Sequence, residues 1–227
     1  MTGPQAKLRT AAVVAGAAYL ASAPHAAYLA QHSSVRLGGL SADQVLAMDL
    51  LRLAVVTVLA SLIGAFFSAR NGLPDLGGGA TLRRAWRWYL GGALWSVGLY
   101  FAAGSPLAAR FPAQYPCAIG WAVVALIKNS VFEEVIARYG MMTLAVGVLR
   151  NKTAGNLVQA TFFTLVSLRA LPVNSGGWDA TTVLAIAAAF LVHLGSGAVY
   201  ARHGLLAASV FRAATGLRLL IHPAIGC

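Results

Sequence analysis

The stretch Ala180–Ala201, ATTVLAIAAAFLVHLGSGAVYA, contains no Lys, Arg, Asp or Glu. It is longer than the roughly 20 apolar residues that a helix needs to cross the hydrocarbon core of a bilayer. Two further runs, between Arg9 and Arg36 and from Trp88 to Ala109, are equally free of these charged residues. Over its 227 residues the chain is 59% hydrophobic and only 10% charged, against about 25% in average soluble domains. The sequence therefore predicts an all-α fold, a polytopic transmembrane helix bundle in which residues 1–227 form a single membrane-embedded domain.

The spacing of apolar and polar segments predicts about seven helices, and the basic residues between them predict an orientation. The helices are expected near residues 11–30, 46–68, 86–108, 116–149, 154–171, 180–201 and 204–221. With the N-terminus inside, the cytoplasmic segments hold nine basic residues: Lys7, Arg9, Arg70, Arg83, Arg84, Arg87, Arg150, Lys152 and Arg202. The opposite side holds four: Arg36, Arg110, Arg169 and Arg218.

This asymmetry explains the formal net charge of +11 without nucleic acid as a partner. It follows the positive-inside rule, by which Lys and Arg accumulate in cytoplasmic loops. We therefore expect an integral, multi-pass protein with its N-terminus in the cytoplasm and the lipid bilayer as its surroundings. The plasma membrane of a bacterium is the expected location.

The N-terminal segment also has features of a secretory signal. Lys7 and Arg9 precede an apolar run and the small residues 21–23, as in a signal peptide with its cleavage site. Because Pro24 follows that position and apolar character continues to Ala30, a retained first helix is favoured.

Two further features are interpreted as having no special structural role. The Gly-rich and Pro-containing connection from Ala69 through Gly78 predicts a flexible cytoplasmic loop. Cys117 and Cys227 are too few for a disulfide framework and form no C-x-x-C motif, so we interpret them as small apolar residues. No H-E-x-x-H motif or convergent His and Cys set occurs, and no metal or cofactor is expected.

The only two glutamates of the chain are adjacent, in SVFEEVIARYG, Ser130–Gly140. Glu134 and Arg138 are four residues apart on a helix, so they share a face and can pair. Glu133 points elsewhere and lacks that partner, although Asn129 can reach it. Glu134 should then stay charged, and Glu133 is the carboxylate suited to taking a proton from water. Spacing alone leaves three interpretations open: a structural ion-pair cluster, catalysis, and ion or proton transport.

These residues resemble a known family. Glu133-Glu134-Val135-Ile136-Ala137-Arg138 matches the E-E-x-x-x-R signature of the CPBP family, the CAAX prenyl protease and bacteriocin-processing (Abi) intramembrane proteins. The later apolar helices keep the order of that family, and the resemblance covers residues from about 80 to 220. It implies a fold of about eight helices and an endopeptidase whose first glutamate, with a histidine from the next helix, activates water.

The sequence departs from the two other family motifs. In the second, F-x-x-x-H, Phe163 is followed by Ser167 in place of the histidine. In the third, Arg212 stands where a histidine is expected; its guanidinium could donate to an oxyanion. His193, an intramembrane histidine beside small residues, is the candidate replacement. We expect Ser167 and Arg212 to face the Glu133 pocket because they occupy motif positions.

Two functions follow from the resemblance and the departures. The first is an intramembrane glutamate endopeptidase that cuts membrane-bound or hydrophobic peptides, with Glu133, Glu134 and Arg138 as its principal site residues. The second is a non-catalytic relative that binds or assembles with partner membrane proteins. A small transporter ranks last, because the sequence has one polar belt and no polar path across several helices.

Overall fold

The structure is a computed structural model that describes residues 3–32, 41–111, 115–168 and 179–227, without the side chains of Leu29, Gln31, His32, Ser167 and Leu168. The predicted basic positions Arg36 and Arg169 lie outside the described residues. The described residues form an all-α bundle, which confirms the predicted fold class. Its helices, in chain order, are α1 (Pro4–His32), α2 (Ala42–Phe67), α3 (Gly79–Arg84), α4 (Trp86–Arg110), α5 (Ile119–Glu134), a π-helix (Val135–Met142), α6 (Thr143–Leu149), α7 (Lys152–Leu168), α8 (Ala180–His203), α9 (Leu205–Thr215) and α10 (Arg218–Ile225).

Small residues allow the first helices to approach the centre of the bundle closely. α1 packs against α2 and α5, and Ala18 of α1 is fully buried. Gly64 of α2 lies against the ring of Tyr139, where a Cβ would overlap the aromatic carbons. In a bilayer, where lipid tails are as apolar as leucine, such close approach is a main source of helix association.

The helix predicted over 116–149 is continuous but not uniformly α-helical. α5 passes into the π-helix at Val135, and α6 continues to Leu149. A π-helix has wider turns than an α-helix, and such turns often occur at functional sites. The π-helix here begins directly after Glu134 and contains Arg138, so the change in helix type falls on the glutamate motif.

The helix predicted over 204–221 is interrupted. α9 ends at Thr215 and α10 begins at Arg218. At the break, the backbone N–H of Arg218 donates to the Ser96 hydroxyl of α4 over 2.8 Å. A Cβ at Gly216 would lie 2.5 Å from Leu126, so close contact with α5 accompanies the break.

The connection after α2 is held in place, and the expectation of a flexible loop is wrong. The N–H groups of Leu205 and Leu206 donate to the carbonyls of Asp75 and Leu76 over 3.1 and 3.0 Å. These bonds use donors that the first turn of α9 would otherwise leave without partners. Gly204, with φ of 91°, makes the turn, and a Cβ there would lie 2.7 Å from a backbone nitrogen of the same connection.

Three helical spans of the described chain are long and apolar enough to cross a membrane by length and composition: Ala42–Phe67, Ala180–His203 and Leu205–Ile225. The last combines α9 and α10. Such spans are those of an integral membrane protein. The further crossings among the seven expected helices stay predictions.

Cys117 and Cys227 form a disulfide, and the interpretation of both as plain apolar residues is wrong. The bond joins the segment before α5 to the residues after α10, across 110 positions of sequence. Spacing could not reveal it, because the two cysteines meet only when the bundle closes. The ligand atoms of Cys117, His222 and Cys227 lie within 4.8 Å of one another, but both sulfurs are engaged in the disulfide.

Candidate active site

Glu134 and Arg138 form a buried ion pair, as the sequence predicts. Arg138 Nε lies 3.2 Å from Glu134 Oε2, and neither side chain is exposed. The hydroxyl of Ser196, on α8, donates to the same carboxylate oxygen. The pair is therefore fixed by the junction of α5 with the π-helix and by the helix that packs over it.

The other nitrogens of Arg138 reach α7 and α8. Nη1 donates to Gln159 Oε1, and Nη2 lies 3.2 Å from His193 Nδ1. Because a guanidinium only donates, Nδ1 of His193 must be the acceptor. The imidazole is then neutral in this contact and carries its proton on Nε2. The structure thus places His193 in the polar cluster, where Arg138 links it to Glu134.

Two amides complete this network and were missed by sequence reasoning. Gln159 is fully buried, and its Nε2 donates to Asn156 Oδ1 over 2.7 Å and to the carbonyl of His193 over 3.2 Å. Asn156 Nδ2 donates to the carbonyl of Leu194 over 3.0 Å. The available signal was their spacing, since two amides three residues apart share one face of an otherwise apolar helix.

Glu133 does not pair with Arg138, as expected, but it has two other cationic partners that the sequence analysis did not predict. Lys128 Nζ lies 2.8 Å from Oε1, and Arg212 Nη2 lies 2.7 Å from Oε2. The partners are Lys128 of the same helix and Arg212 of α9, rather than Asn129. About a fifth of the Glu133 side chain is exposed, whereas Glu134 is enclosed. The two adjacent carboxylates therefore lie in different surroundings.

The remaining sequence-predicted residues divide into two groups. Arg212 contacts Glu133, which confirms that it faces the Glu133 pocket. The side chain of Ser167 lies outside the described part, so its position stays a prediction. Phe163, the aromatic residue of the second family motif, packs with its ring centroid 5.6 Å from that of His193.

One acceptor and two donors of the cluster have no hydrogen-bond partner. Among the described residues these buried atoms are Glu134 Oε1, Arg212 Nε and Arg138 Nε, the last of which lies in the ion pair with Glu134. Buried polar atoms are nearly always paired with protein or water. The unused oxygen of Glu134 is therefore suited to hold a water molecule, and the unused nitrogen of Arg212 is suited to hold an acceptor.

An apolar groove of about 460 Å³ lies between α4, α8 and α9. Trp88, Trp95 and Phe211 supply its aromatic walls. Two lining positions are neighbours of cluster residues along the chain: Val192 precedes His193, and Phe211 precedes Arg212. The groove and the ionised residues thus share the same segments of α8 and α9.

Comparison with known proteins finds a family match over the part of the chain that contains the cluster. The family described as type II CAAX prenyl endopeptidase Rce1-like matches residues 115–217. This part of the chain is similar to that family. The Rce1-like part contains the four ionised motif positions and His193, and it lies within the range of about 80 to 220 expected from the sequence. The predicted resemblance to CAAX proteases is confirmed. No curated protein and no solved structure matches the chain.

Proposed function

We propose that the protein is an intramembrane endopeptidase that cuts membrane-bound or hydrophobic peptides. The observation that carries this proposal is the convergence of Glu133, Glu134, Arg138, His193 and Arg212 within an apolar bundle. Ionisable groups inside a membrane protein are expensive and mark functional sites by default. The Rce1-like match supports peptide hydrolysis as the reaction.

The two glutamates would share the activation of water. Glu134 keeps Oε1 without a partner among the described residues, so this oxygen can orient a water molecule, while Arg138 fixes the position of the carboxylate through Oε2. Glu133 has the greater exposure but accepts from two cations. Each of its oxygens accepts from one cation and keeps a further lone pair, through which it can act as a general base on a water molecule within reach. His193 Nε2–H is available as a donor to the substrate.

The apolar groove would hold the hydrophobic part of the substrate. Ligand sites typically combine an apolar wall with a few convergent polar groups. The groove supplies the wall, and the adjoining residues His193 and Arg212 supply polar groups. A peptide with an apolar chain in the groove would therefore bring its backbone to the ionised cluster.

A non-catalytic relative is the second candidate function. It is favoured by the ion pairs that occupy both oxygens of Glu133 and by Ser167 and Arg212 at the histidine positions of the motifs. In this case the cluster locks α5, α7, α8 and α9 together and presents the groove to a partner membrane protein.

Cleavage of a prenylated or hydrophobic peptide by the purified protein in lipid nanodiscs separates the two functions. Glu133→Gln and Glu134→Gln are each expected to abolish cleavage, and His193→Ala to reduce it strongly. Asp43→Asn, which makes the same carboxyl-to-amide change at an exposed position of α2, is the matched control and should cleave normally. If the wild-type protein is folded but cleaves none of the peptides, the result supports the non-catalytic function instead.

We also propose that the end of the bundle with Cys117 and Cys227 faces the oxidising side of a bacterial plasma membrane. Disulfides persist outside the reducing cytosol, and this end carries fewer of the basic residues. Thr153, exposed at the opposite end, should then be cytoplasmic. Thr153→Cys should react with an impermeant maleimide only after the membrane is permeabilised; labelling in intact cells would reverse the orientation.

A further inference from the structure

The end of the bundle where α4 begins and α8 finishes carries exposed arginines without carboxylate partners. α3, which directly precedes α4, packs against α8 at this end. None of the exposed arginines forms an ion pair with a carboxylate of the described residues. They are Arg83, Arg84, Arg87 and Arg202. Arginine clusters at the end of a membrane helix attract anionic lipid headgroups, so this end is suited to an anion at the membrane surface.

Two of these arginines lie at the apolar groove between α4, α8 and α9. Arg87 is itself a lining residue. The guanidinium of Arg202 lies over the ring of Trp88, another lining residue, 5.6 Å from its centroid. Trp88 in turn packs edge-on against Phe211 of the groove, with the ring centroids 6.1 Å apart. The arginines and the aromatic wall therefore form one continuous surface.

The groove extends from this charged end along α4. Its lining on that helix reaches from Arg87 to Trp95, a distance of about 12 Å at the rise of an α-helix. Gly91 lies between them, and a Cβ there would meet nothing within 4 Å, so the space beside it is open. The volume of about 460 Å³ falls within the range of small-molecule sites, roughly 300–1,000 Å³. A charged mouth thus leads into an elongated apolar space.

We propose that the groove binds an anionic phospholipid, with one acyl chain between α4, α8 and α9 and the phosphate at Arg87 and Arg202. Charge complementarity selects this occupant. A guanidinium offers several donors in a geometry that matches phosphate oxygens, and the acyl chain covers the aromatic wall. A zwitterionic phospholipid would bring its own cation to the same arginines, and a free phosphate would leave the apolar space unfilled.

This lipid site stands apart from the endopeptidase function, because lipid binding requires no cleavage. It also gives the groove a second ligand. The apolar part of a peptide substrate is proposed to occupy the same space, so lipid and peptide would exclude one another. The anionic lipid content of the membrane would then regulate access to the groove.

The first test compares two lipids with the same acyl chains and different headgroups. The full chain in maltoside detergent is titrated with phosphatidylglycerol or phosphatidylcholine, and bound lipids are counted by native mass spectrometry. The wild type should retain one phosphatidylglycerol with a preference of roughly tenfold. Arg87→Gln and Arg202→Gln should each weaken this preference. Arg9→Gln removes an exposed arginine of α1 that does not line the groove and should leave the preference unchanged.

The second test fills the groove without changing its charge. Gly91→Leu places an apolar side chain in the open space of α4 and should lower retention of phosphatidylglycerol roughly tenfold. Gly98→Leu is the matched control, because a Cβ at Gly98 also meets nothing within 4 Å and this residue does not line the groove. Its retention should equal that of the wild type. Inorganic phosphate, which supplies charge without an acyl chain, should not displace the bound lipid.

Each contrary outcome overturns the proposal. Equal retention of the two lipids by the wild type does so, as does a preference that survives both arginine substitutions. Retention that Gly91→Leu leaves unchanged shows that the acyl chain lies outside the groove. Displacement by inorganic phosphate assigns the arginines to a free anion. Lipid retention with the expected variant pattern in a protein that cleaves no peptide supports the lipid site and defeats the endopeptidase function alone.

Discussion

Replacing Arg138 by alanine is expected to destabilise the whole bundle. The substitution leaves Glu134 as an enclosed carboxylate without its cation, and losing one partner of a buried ion pair typically costs about 3–5 kcal/mol. It also removes the bonds from Arg138 to Gln159 and His193, each worth about 1 kcal/mol. The expected total of about 5–7 kcal/mol is comparable with the lower part of the range of stabilities of natural proteins, about 5–15 kcal/mol. Arg138→Ala should therefore accumulate poorly as folded protein.

Thermal unfolding in detergent, followed by intrinsic tryptophan fluorescence, measures this effect. Arg83→Ala, which removes an exposed arginine of α3, is the matched control and should unfold at the wild-type temperature. Glu134→Gln removes the stranded charge, so the Glu134→Gln/Arg138→Ala double variant should lose less stability than the sum of the single variants, by roughly 0.5–3 kcal/mol. An Arg138→Ala protein as stable as the Arg83→Ala control, or strictly additive effects, would refute the buried ion pair.

Three further substitutions test separate parts of the structure. Cys117→Ser removes a disulfide whose loop spans about a hundred residues, and chain-entropy arguments assign such a bond up to about 4.7 kcal/mol of stabilisation. The variant should therefore show a lower unfolding temperature and a changed mobility on a non-reducing gel. A wild-type protein whose gel mobility does not change on addition of reductant would contradict the disulfide. Gly197→Ala places a Cβ onto the amide of Asn156 and should lower the yield of folded protein, whereas Gly120→Ala meets nothing within 4 Å and should not; equal yields would contradict the packing. Gln159→Leu removes an acceptor from a buried guanidinium and should cost about 1–3 kcal/mol; an unchanged unfolding temperature would show that the bond is absent.

Local spacing predicted the parts of the site that lie along one helix. Glu134 and Arg138 are four residues apart, and helix geometry alone places them together. The contact of Arg212 with Glu133 was also predicted, but from the family resemblance. Apolar runs predicted the all-α bundle, because hydrocarbon thickness sets the length of a crossing helix.

Contacts between distant segments and changes of helix type were beyond sequence reasoning. Lys128 is five residues from Glu133, a spacing outside the usual i+3 and i+4 neighbours of an α-helix. Gln159 and His193 meet Arg138 from two other helices, and no local pattern specifies which helices become neighbours. The π-helix Val135–Met142 has no sequence signature that the motif could reveal, since its residues also fit an ordinary α-helical turn.

The clasp between the loop after α2 and the start of α9 has a consequence for the order in which the protein assembles. Asp75 and Leu76 are synthesised more than a hundred residues before Leu205 and Leu206. The carbonyls of the first pair accept hydrogen bonds from the N–H groups of the second pair. Such long-range contacts form late, because the intervening chain must first be ordered. During synthesis the two carbonyls therefore remain solvated by water, and the loop stays free until α9 arrives. Closure of this clasp would mark the passage from a set of inserted helices to the finished bundle.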